Sequence, residues 1–347
     1  MSCFRRARRV AAGAVAVLLL LTLVHAYLAQ AAERDYPPTG PFMTLEGVHL
    51  HYTDTGDGPV LVLLHGNGAM IEDFQISGIT DRAARSFRVI AFDRPGFGHS
   101  NRPRGTDWTP AAQARLISTA LARMGVDQAV IVGHSWGALV AVTLALDNPR
   151  LVKGLILISG YFYQSPRLDA QMVRLVAQPG LEDVLSYTVS PLLGRLLWSP
   201  IMDEVFGPDA MPERFARFPE AMALRPSQLR AATEEVALLN TGAGALEGRL
   251  GRLTIPVAIV VGGGDRLIDP RSQSARLHTD LPQSTLRLIP GGGHMVHQTA
   301  TDDVMAAIAE VNLKLRPPPS GAPPAPAVGN PRALPLQGPD IPWPLAR

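Results

Sequence analysis

Cysteine is all but missing from this 347-residue chain: Cys3 is the only one, and it precedes the first hydrophobic run. Without an intramolecular partner for it, the body can hold no disulfide framework, no thiolate-ligated zinc and no cysteine nucleophile. Charge is scarce as well, with 18% charged against 46% hydrophobic residues and a mean hydropathy of +0.11. A wholly disordered chain is thereby excluded, because the apolar surface is ample to offset the entropy of ordering. A basic body is lacking too. Taking Arg5, Arg6, Arg8 and Arg9 out of the formal net charge of +2 leaves −2 for everything after residue 31. No stripe of Arg or Lys interleaved with aromatics appears there, so nucleic acid is not an expected partner. No internal repeat is present. The length fits one large domain carrying an insertion or a tail, and two smaller domains are the alternative.

The two ends differ from the middle. Phe-Arg-Arg-Ala-Arg-Arg at residues 4–9 precedes an uncharged run from Val10 to Val24, the pattern of an export signal. The small-x-small sequence Ala29-Gln30-Ala31 reads as a cleavage site. Left uncleaved, the stretch from Val10 to about residue 32 is long enough to cross a bilayer core of ~30 Å. Residues 1–31 are therefore expected to be a signal peptide or a signal anchor. Either one keeps the arginines in the cytoplasm and sends the rest across the membrane, periplasmic, secreted or membrane-anchored. At the other end, residues 316–347 carry Pro317-Pro318-Pro319, Pro323-Pro324-Ala325-Pro326 and further prolines. Such a run keeps neither helix nor ladder hydrogen bonds, and an extended or disordered tail is expected.

Between the ends, apolar runs too short for helices mark buried strands at Val60–Leu64, Arg88–Phe92, Ala129–Val132, Gly154–Ile158, Val257–Val261 and Thr285–Ile289. A hairpin precedes them, pairing Met43–Leu45 with Val48–Tyr52 around Glu46-Gly47. Helical patterns alternate with these strands. Ala111–Met124 has Thr109 as N-cap, Pro110 at the first helical position and Gly125 as stop. Trp136–Asp147, Pro270–Thr279 and Thr301–Leu315 follow. Strands alternating with helices predict an α/β fold, its mostly parallel sheet covered by helices on both faces. Residues 161–252 break the rhythm, with helix-like pieces such as Asp169–Val176 and Gln228–Leu239 and no convincing strand. They are expected to form an inserted helical cap, dividing a core of residues 42–160 and 253–315.

The strongest chemical signal is Gly133-His134-Ser135-Trp136-Gly137. Lying between a buried strand and a helix, this G-x-S-x-G pattern allows the cramped turn that pushes a serine oxygen out at the carboxyl end of the sheet. The following helix points its positive end at developing negative charge. A serine in an ordinary tight turn is the bland alternative.

At this point the chain resembles the α/β-hydrolase family, over roughly residues 42–315 and including an inserted cap. His65-Gly66-Asn67-Gly68 is similar to the family's HG loop. The resemblance implies an oxyanion hole built from the backbone N–H groups of Asn67 and Trp136. Asp93-Arg94-Pro95-Gly96-Phe97-Gly98-His99-Ser100 resembles the D-x-x-G-x-G-x-S turn, in which Asp93 and His99 shape backbone rather than do chemistry.

A serine hydroxyl needs a base to take its proton, and that base needs an acid to orient it. Among the nine histidines, His25 lies in the signal segment, His49 and His51 on the hairpin, His65 and His134 inside motifs, and His278 on a helix. His294 and His297 remain, after the last strand in Gly291-Gly292-Gly293-His294-Met295-Val296-His297. The resemblance selects His294. It also implies Asp265, in Gly262-Gly263-Gly264-Asp265, as the acid, leaving Asp269 as an N-cap before Pro270. The order Ser135, Asp265, His294 is the order expected of this fold.

The nucleophile narrows the reaction. Haloalkane dehalogenases and epoxide hydrolases of similar motifs use Asp where this chain has Ser135. Serine attack on an sp3 carbon would leave an alkyl ether with no carbonyl for water to attack, so an acyl carbon is required. The expected activity is cleavage of an ester or similar acyl compound through an acyl-enzyme, with neither metal nor organic cofactor. Tyr161, Phe162, Tyr163, Tyr187, Leu192, Leu193, Trp198 and Phe206 suggest a cap pocket for a small, largely apolar acyl substrate, unless they merely pack. Carbon–carbon bond hydrolases and cofactor-free perhydrolases share the three residues. A membrane-tethered binding protein without turnover is the alternative of another class.

Overall fold

The computed structural model describes residues 2–166, 173–178 and 180–316. The expected Pro-rich tail beyond residue 316 and the first part of the helix expected at Asp169 lie outside the described residues. Residues 173–176 are helical.

The apolar runs form the centre of one sheet. Its strands are β1 (Phe42–Leu45), β2 (Val48–Thr55), β3 (Val60–Leu64), β4 (Arg88–Phe92), β5 (Ala129–His134), β6 (Val152–Ile158), β7 (Val257–Gly262) and β8 (Thr285–Ile289). The eight lie in the order β1-β2-β4-β3-β5-β6-β7-β8. From β4 to β8 all pairings are parallel, whereas β2 runs antiparallel to both β1 and β4. In the hairpin turn, Glu46 and Gly47 have φ values of 50° and 80°. Positive φ at both central positions gives the twist that matches paired strands.

Because side chains alternate along a strand, β3 feeds two cores. Val62 and Leu64 pack under α4 (Pro110–Arg123) and α5 (Trp136–Asp147). Leu61 and Leu63 face the opposite side, with α2 (Ile71–Ser77), α3 (Ile79–Ala83) and the C-terminal helix Thr301–Leu315. Capping follows the sequence reading at α4, where Thr109 Oγ1 accepts from Ala112 N at 3.2 Å. The helix expected at Pro270–Thr279 instead opens with a wide turn over Arg271–Ala275 and becomes regular only at Arg276–Asp280. Helices α2 and α3 were not expected: at seven and five residues they are too short to display a period.

Between β6 and β7 the described residues form helices and no strand. These include Leu181–Tyr187, Ser190–Leu196, Trp198–Phe206, Glu220–Ala223 and a long one, Pro226–Gly244. This helical cap insertion is clamped to the sheet by one guanidinium. Arg94 is completely buried. Its Nε donates to His65 O at 2.9 Å and its Nη2 to Gly66 O at 2.8 Å. Nη1 reaches Gln113 Oε1 at 2.9 Å and also Glu235, on the long cap helix. Gln113 Nε2 closes the ring onto Glu235 Oε1 at 2.8 Å. A buried ion pair recovers its desolvation cost only when its remaining polar atoms are matched, as they are here.

Glu235→Ala leaves the guanidinium buried without its counter-charge and is expected to lower unfolding free energy by about 3–5 kcal/mol. Denaturant titration reads this directly. A loss below about 1 kcal/mol, the worth of a surface pair, would contradict the clamp.

Candidate active site

Strand order reverses around β3, which lies between β4 and β5, and such a switch point opens a crevice at the carboxyl ends of the strands. The HG loop leaves β3 there and Ser135 leaves β5, their last rungs paired as Leu64 with Gly133. Ser135 holds φ 52° and ψ −117°, a sparsely populated conformation for a residue with a side chain, costing about 1–3 kcal/mol. The neighbouring glycines explain how it is tolerated. A Cβ on Gly137 would lie 2.1 Å from Leu64 O, and one on Gly133 2.4 Å from Gly137 O. Ser135 N donates to Ile158 O at 2.8 Å, which ties the bend to β6.

Asp265 and His294 meet. His294 Nδ1 lies 2.7 Å from Asp265 Oδ2, while Asp265 Oδ1 accepts from Leu267 N at 2.9 Å and Ile268 N at 3.0 Å. The two glycine runs make this meeting possible. A Cβ on Gly262 would sit 2.2 Å from the carbonyls of both Gly292 and Gly293, so the two loops interleave backbone to backbone. Gly264 N donates to Gly292 O at 2.9 Å. From the cap, Val205 O accepts from His294 N at 3.2 Å. Asp269 caps its turn by accepting from Ser272 N at 3.0 Å.

His297 is turned elsewhere. Its Nε2 lies 2.9 Å from Asp73 Oδ2, and Gln298 Nε2 donates to Asp73 Oδ1 at 2.7 Å. Burial works to raise the Asp73 pKa, but the His297 charge and these hydrogen bonds hold it below the usual range. Asp73, His134 and His297 bring ligand atoms within 4.8 Å of one another. The Asp73–His297 hydrogen bond already accounts for that approach without an ion. His134 packs against His297 with ring centroids 4.2 Å apart and the planes tilted by 45°, and its Nε2 faces His294 O at 3.3 Å. Burial, followed by the adjacent His297 and His294, pushes the His134 pKa well below the ordinary value, so this imidazole is neutral. His65 is lowered to about 3 by burial and by Arg94, and it too serves backbone: its Nε2 accepts from Arg94 N at 3.0 Å. Asp93, fully buried, accepts from Ile71 N, His99 N and His51 Nδ1, the shaping of a turn.

A cavity of about 350 Å³ collects the predicted residues: Asn67, Ser135, Trp136 and His294 all line it. Among the described residues, neither Ser135 Oγ nor His294 Nε2 makes a hydrogen bond, and the Asn67 and Trp136 backbone N–H groups have no acceptor. Catalytic hydrogen bonds commonly tighten only once substrate is bound. The cavity's apolar wall differs from expectation. Of the cap residues expected to form it, Trp198 lines the cavity, whereas Tyr161, Phe162, Tyr163 and Phe206 are buried in packing, Tyr187 is half-buried away from it, and Leu192 and Leu193 are exposed. Phe215, Phe218, Leu224, Leu229 and Val236 take their place. Leu229, Ala232, Val236 and Leu239 recur at helical spacing on Pro226–Gly244, but nothing local in the sequence says which face looks at Ser135.

Residues 59–301 match the family described as alpha/beta hydrolase fold. Haloalkane dehalogenase 2 of Mycobacterium tuberculosis is 28% identical over 265 residues, covering 75% of this chain and 90% of the relative. The enol-lactonase from Burkholderia xenovorans superposes with a TM-score of 0.65 at 17% identity, over 79% of this chain and 100% of that one. A thermophilic esterase from Thermogutta terrifontis gives 0.63 at 22% identity, over 79% and 96%.

Next to the cavity residue Asp73, Glu72 is largely buried and its Oε2 has no partner among the described residues. Burial, reinforced by the Asp93 carboxylate, raises its pKa to about 7. The folded state therefore holds a proton that the unfolded chain releases near the ordinary value of 4.5. The stability from the neutral form is full below that value and is lost as pH rises through about 7. Glu72→Gln is expected to remove this carboxyl's share of the loss, so that the melting temperature of the variant falls less steeply than that of wild type between these two values. A mutant that keeps the wild-type slope would place the titration elsewhere.

Proposed function

Because the chain belongs to the α/β-hydrolase fold family, we propose that it is a serine hydrolase cleaving an ester or similar acyl compound through an acyl-enzyme intermediate. The observation that carries this reading is the 2.7 Å pairing of His294 with Asp265 on the cavity into which the strained Ser135 opens. His294 Nε2 takes the Ser135 proton as Oγ attacks the acyl carbon. Asp265 holds the imidazole in the tautomer that leaves Nε2 free and stabilises the imidazolium that forms. The N–H groups of Asn67 and Trp136 hold the oxyanion, a term worth about 100- to 1,000-fold per donor. Collapse of the tetrahedral adduct expels the alcohol, protonated by His294, and water then releases the acid by the same steps in reverse.

The apolar wall of the cavity favours an acyl chain over a charged substrate. Although a dehalogenase is among the relatives, Ser135 favours acyl over alkyl chemistry for the reason already given. The complete set of Ser135, Asp265 and His294 argues against a receptor without turnover. The domain arrangement follows the same reading: a signal or anchor in residues 1–31, a hydrolase core in 42–160 and 253–315, a cap in 161–252 and a Pro-rich tail after 315. The catalytic part lies outside the cytoplasm.

A fluorophosphonate probe is expected to label wild type and not Ser135→Ala, and ester hydrolysis by the variant to fall at least about a thousandfold. Asp265→Asn, which keeps shape and removes charge, is expected to lower kcat by about ten-thousandfold. Equal labelling of wild type and Ser135→Ala would sink the mechanism.

A further inference from the structure

The N-terminal helix does more than precede the catalytic body. Helix α1 (Ser2–Asp35) contains an 18-residue window of mean hydropathy 2.2 that is only 6% buried. It is bare over Val10–Val24 apart from two half-covered positions, and then it packs. His25 is 4% exposed, with its Nδ1 3.1 Å from Tyr187 O in the cap. Ala32 is buried among Met70, Phe215, Phe218 and Met222. Glu33 pairs with Arg225. The small-x-small sequence Ala29-Gln30-Ala31 thus lies inside an unbroken helix that is docked on the cap.

The length of the span sets the depth. At 1.5 Å per residue, a hydrocarbon core of ~30 Å takes about 20 residues. Counted from Val10, beside the arginines, it is completed near residue 29. The cap is met at His25, before the span ends, so the Leu181–Tyr187 edge of the cap stands at the boundary of hydrocarbon and headgroups.

That edge is dressed for such a place. Leu181, Val184, Leu192, Leu193, Leu196 and Leu197 are exposed, Leu196 to 74%. Between Thr188 and Met202 the single charged residue is Arg195, whose long side chain is suited to reaching headgroups. Water-soluble surfaces rarely gather so many exposed large apolar side chains on two successive helices. Helix Ser190–Leu196, which exposes Leu192, Leu193 and Leu196, also lends Gly194 to the cavity, and the helix that follows it adds Trp198 and Met202.

We propose that the cap face formed by Leu181–Leu197 seats in the outer interface of a lipid bilayer, with α1 retained as the anchor, so that the cavity takes its acyl substrate from the membrane. The seating follows from α1 and the apolar surface, whatever the chemistry, whereas uptake of an acyl substrate from the membrane rests on the hydrolase reading.

Two measurements separate these parts. Full-length protein in a Cys3→Ser background, labelled with bimane through Leu196→Cys or Asp127→Cys, is placed in nanodiscs holding one chain each and brominated phosphatidylcholine. Asp127 is exposed just before β5, at the end of the sheet away from Ser135. Bromine is expected to quench the label at 196 at least about twofold more than the label at 127, as an interfacial apolar face requires. Equal quenching overturns the seating. Selective quenching only when several chains share a disc also overturns it, in favour of a contact between copies. Second, the double variant Leu192→Glu, Leu196→Glu is expected to hydrolyse a long-chain ester held in phosphatidylcholine vesicles about tenfold more slowly than wild type. On a short soluble ester it is expected to stay within about twofold, since neither leucine lines the cavity. Unchanged hydrolysis in vesicles overturns the membrane route. If wild type cleaves neither ester, the hydrolase reading fails while the quenching still decides the seating.

Discussion

The buried guanidinium of Arg94 is the constraint on which the cavity's architecture depends. It holds the carbonyls of His65 and Gly66, and because the Asn67 N–H lies trans to the Gly66 oxygen in the same peptide, pinning that oxygen turns the N–H away from Arg94, on a residue that lines the cavity with Ser135. The same group anchors Glu235 and therefore the longest cap helix, whose other residues wall the cavity. One charge thus fixes both the proposed oxyanion donor and the roof over it. A charge can stay so deep only because carbonyl, amide and carboxylate partners surround it on every side.

The second organising principle is backbone contact without side chains. At the serine bend, glycines 133 and 137 let β5, the HG loop and α5 approach within distances that a methyl group would forbid. At the opposite wall, Gly262 does the same for the loops bearing Asp265 and His294, and Gly293 does it for the His294 loop and the cap carbonyl of Phe206. The polar groups thus lie in an otherwise apolar cavity on elements packed too closely to drift, and such preorganisation is what makes electrostatic help effective.

What could be read from the chain divides along the same line. The central strands were legible because each is a short apolar run closed by turn residues, and the serine bend and the two glycine loops because they are local. His294 and His297 stood apart only through resemblance; in the structure His297 is taken up by Asp73, a partner 224 residues away. The Arg94–Glu235 clamp spans 141 residues and leaves no local trace. For the cap, aromatic content pointed to the pocket, yet Tyr161 and Phe162 went into packing while Phe218 and Val236 came to the cavity. Which face of a helix meets a cavity is decided by tertiary packing, and composition carries no record of it. Helices α2 and α3 were lost for a simpler reason, being shorter than the two turns a period needs.

The hydrogen bond from His294 N to Val205 O joins the proposed base to the end of the cap helix Trp198–Phe206. A displacement that parts them takes away a backbone support of the segment that carries the imidazole. Cap and proposed base thus form one mechanical unit, so that strain introduced into the former is inherited by the latter.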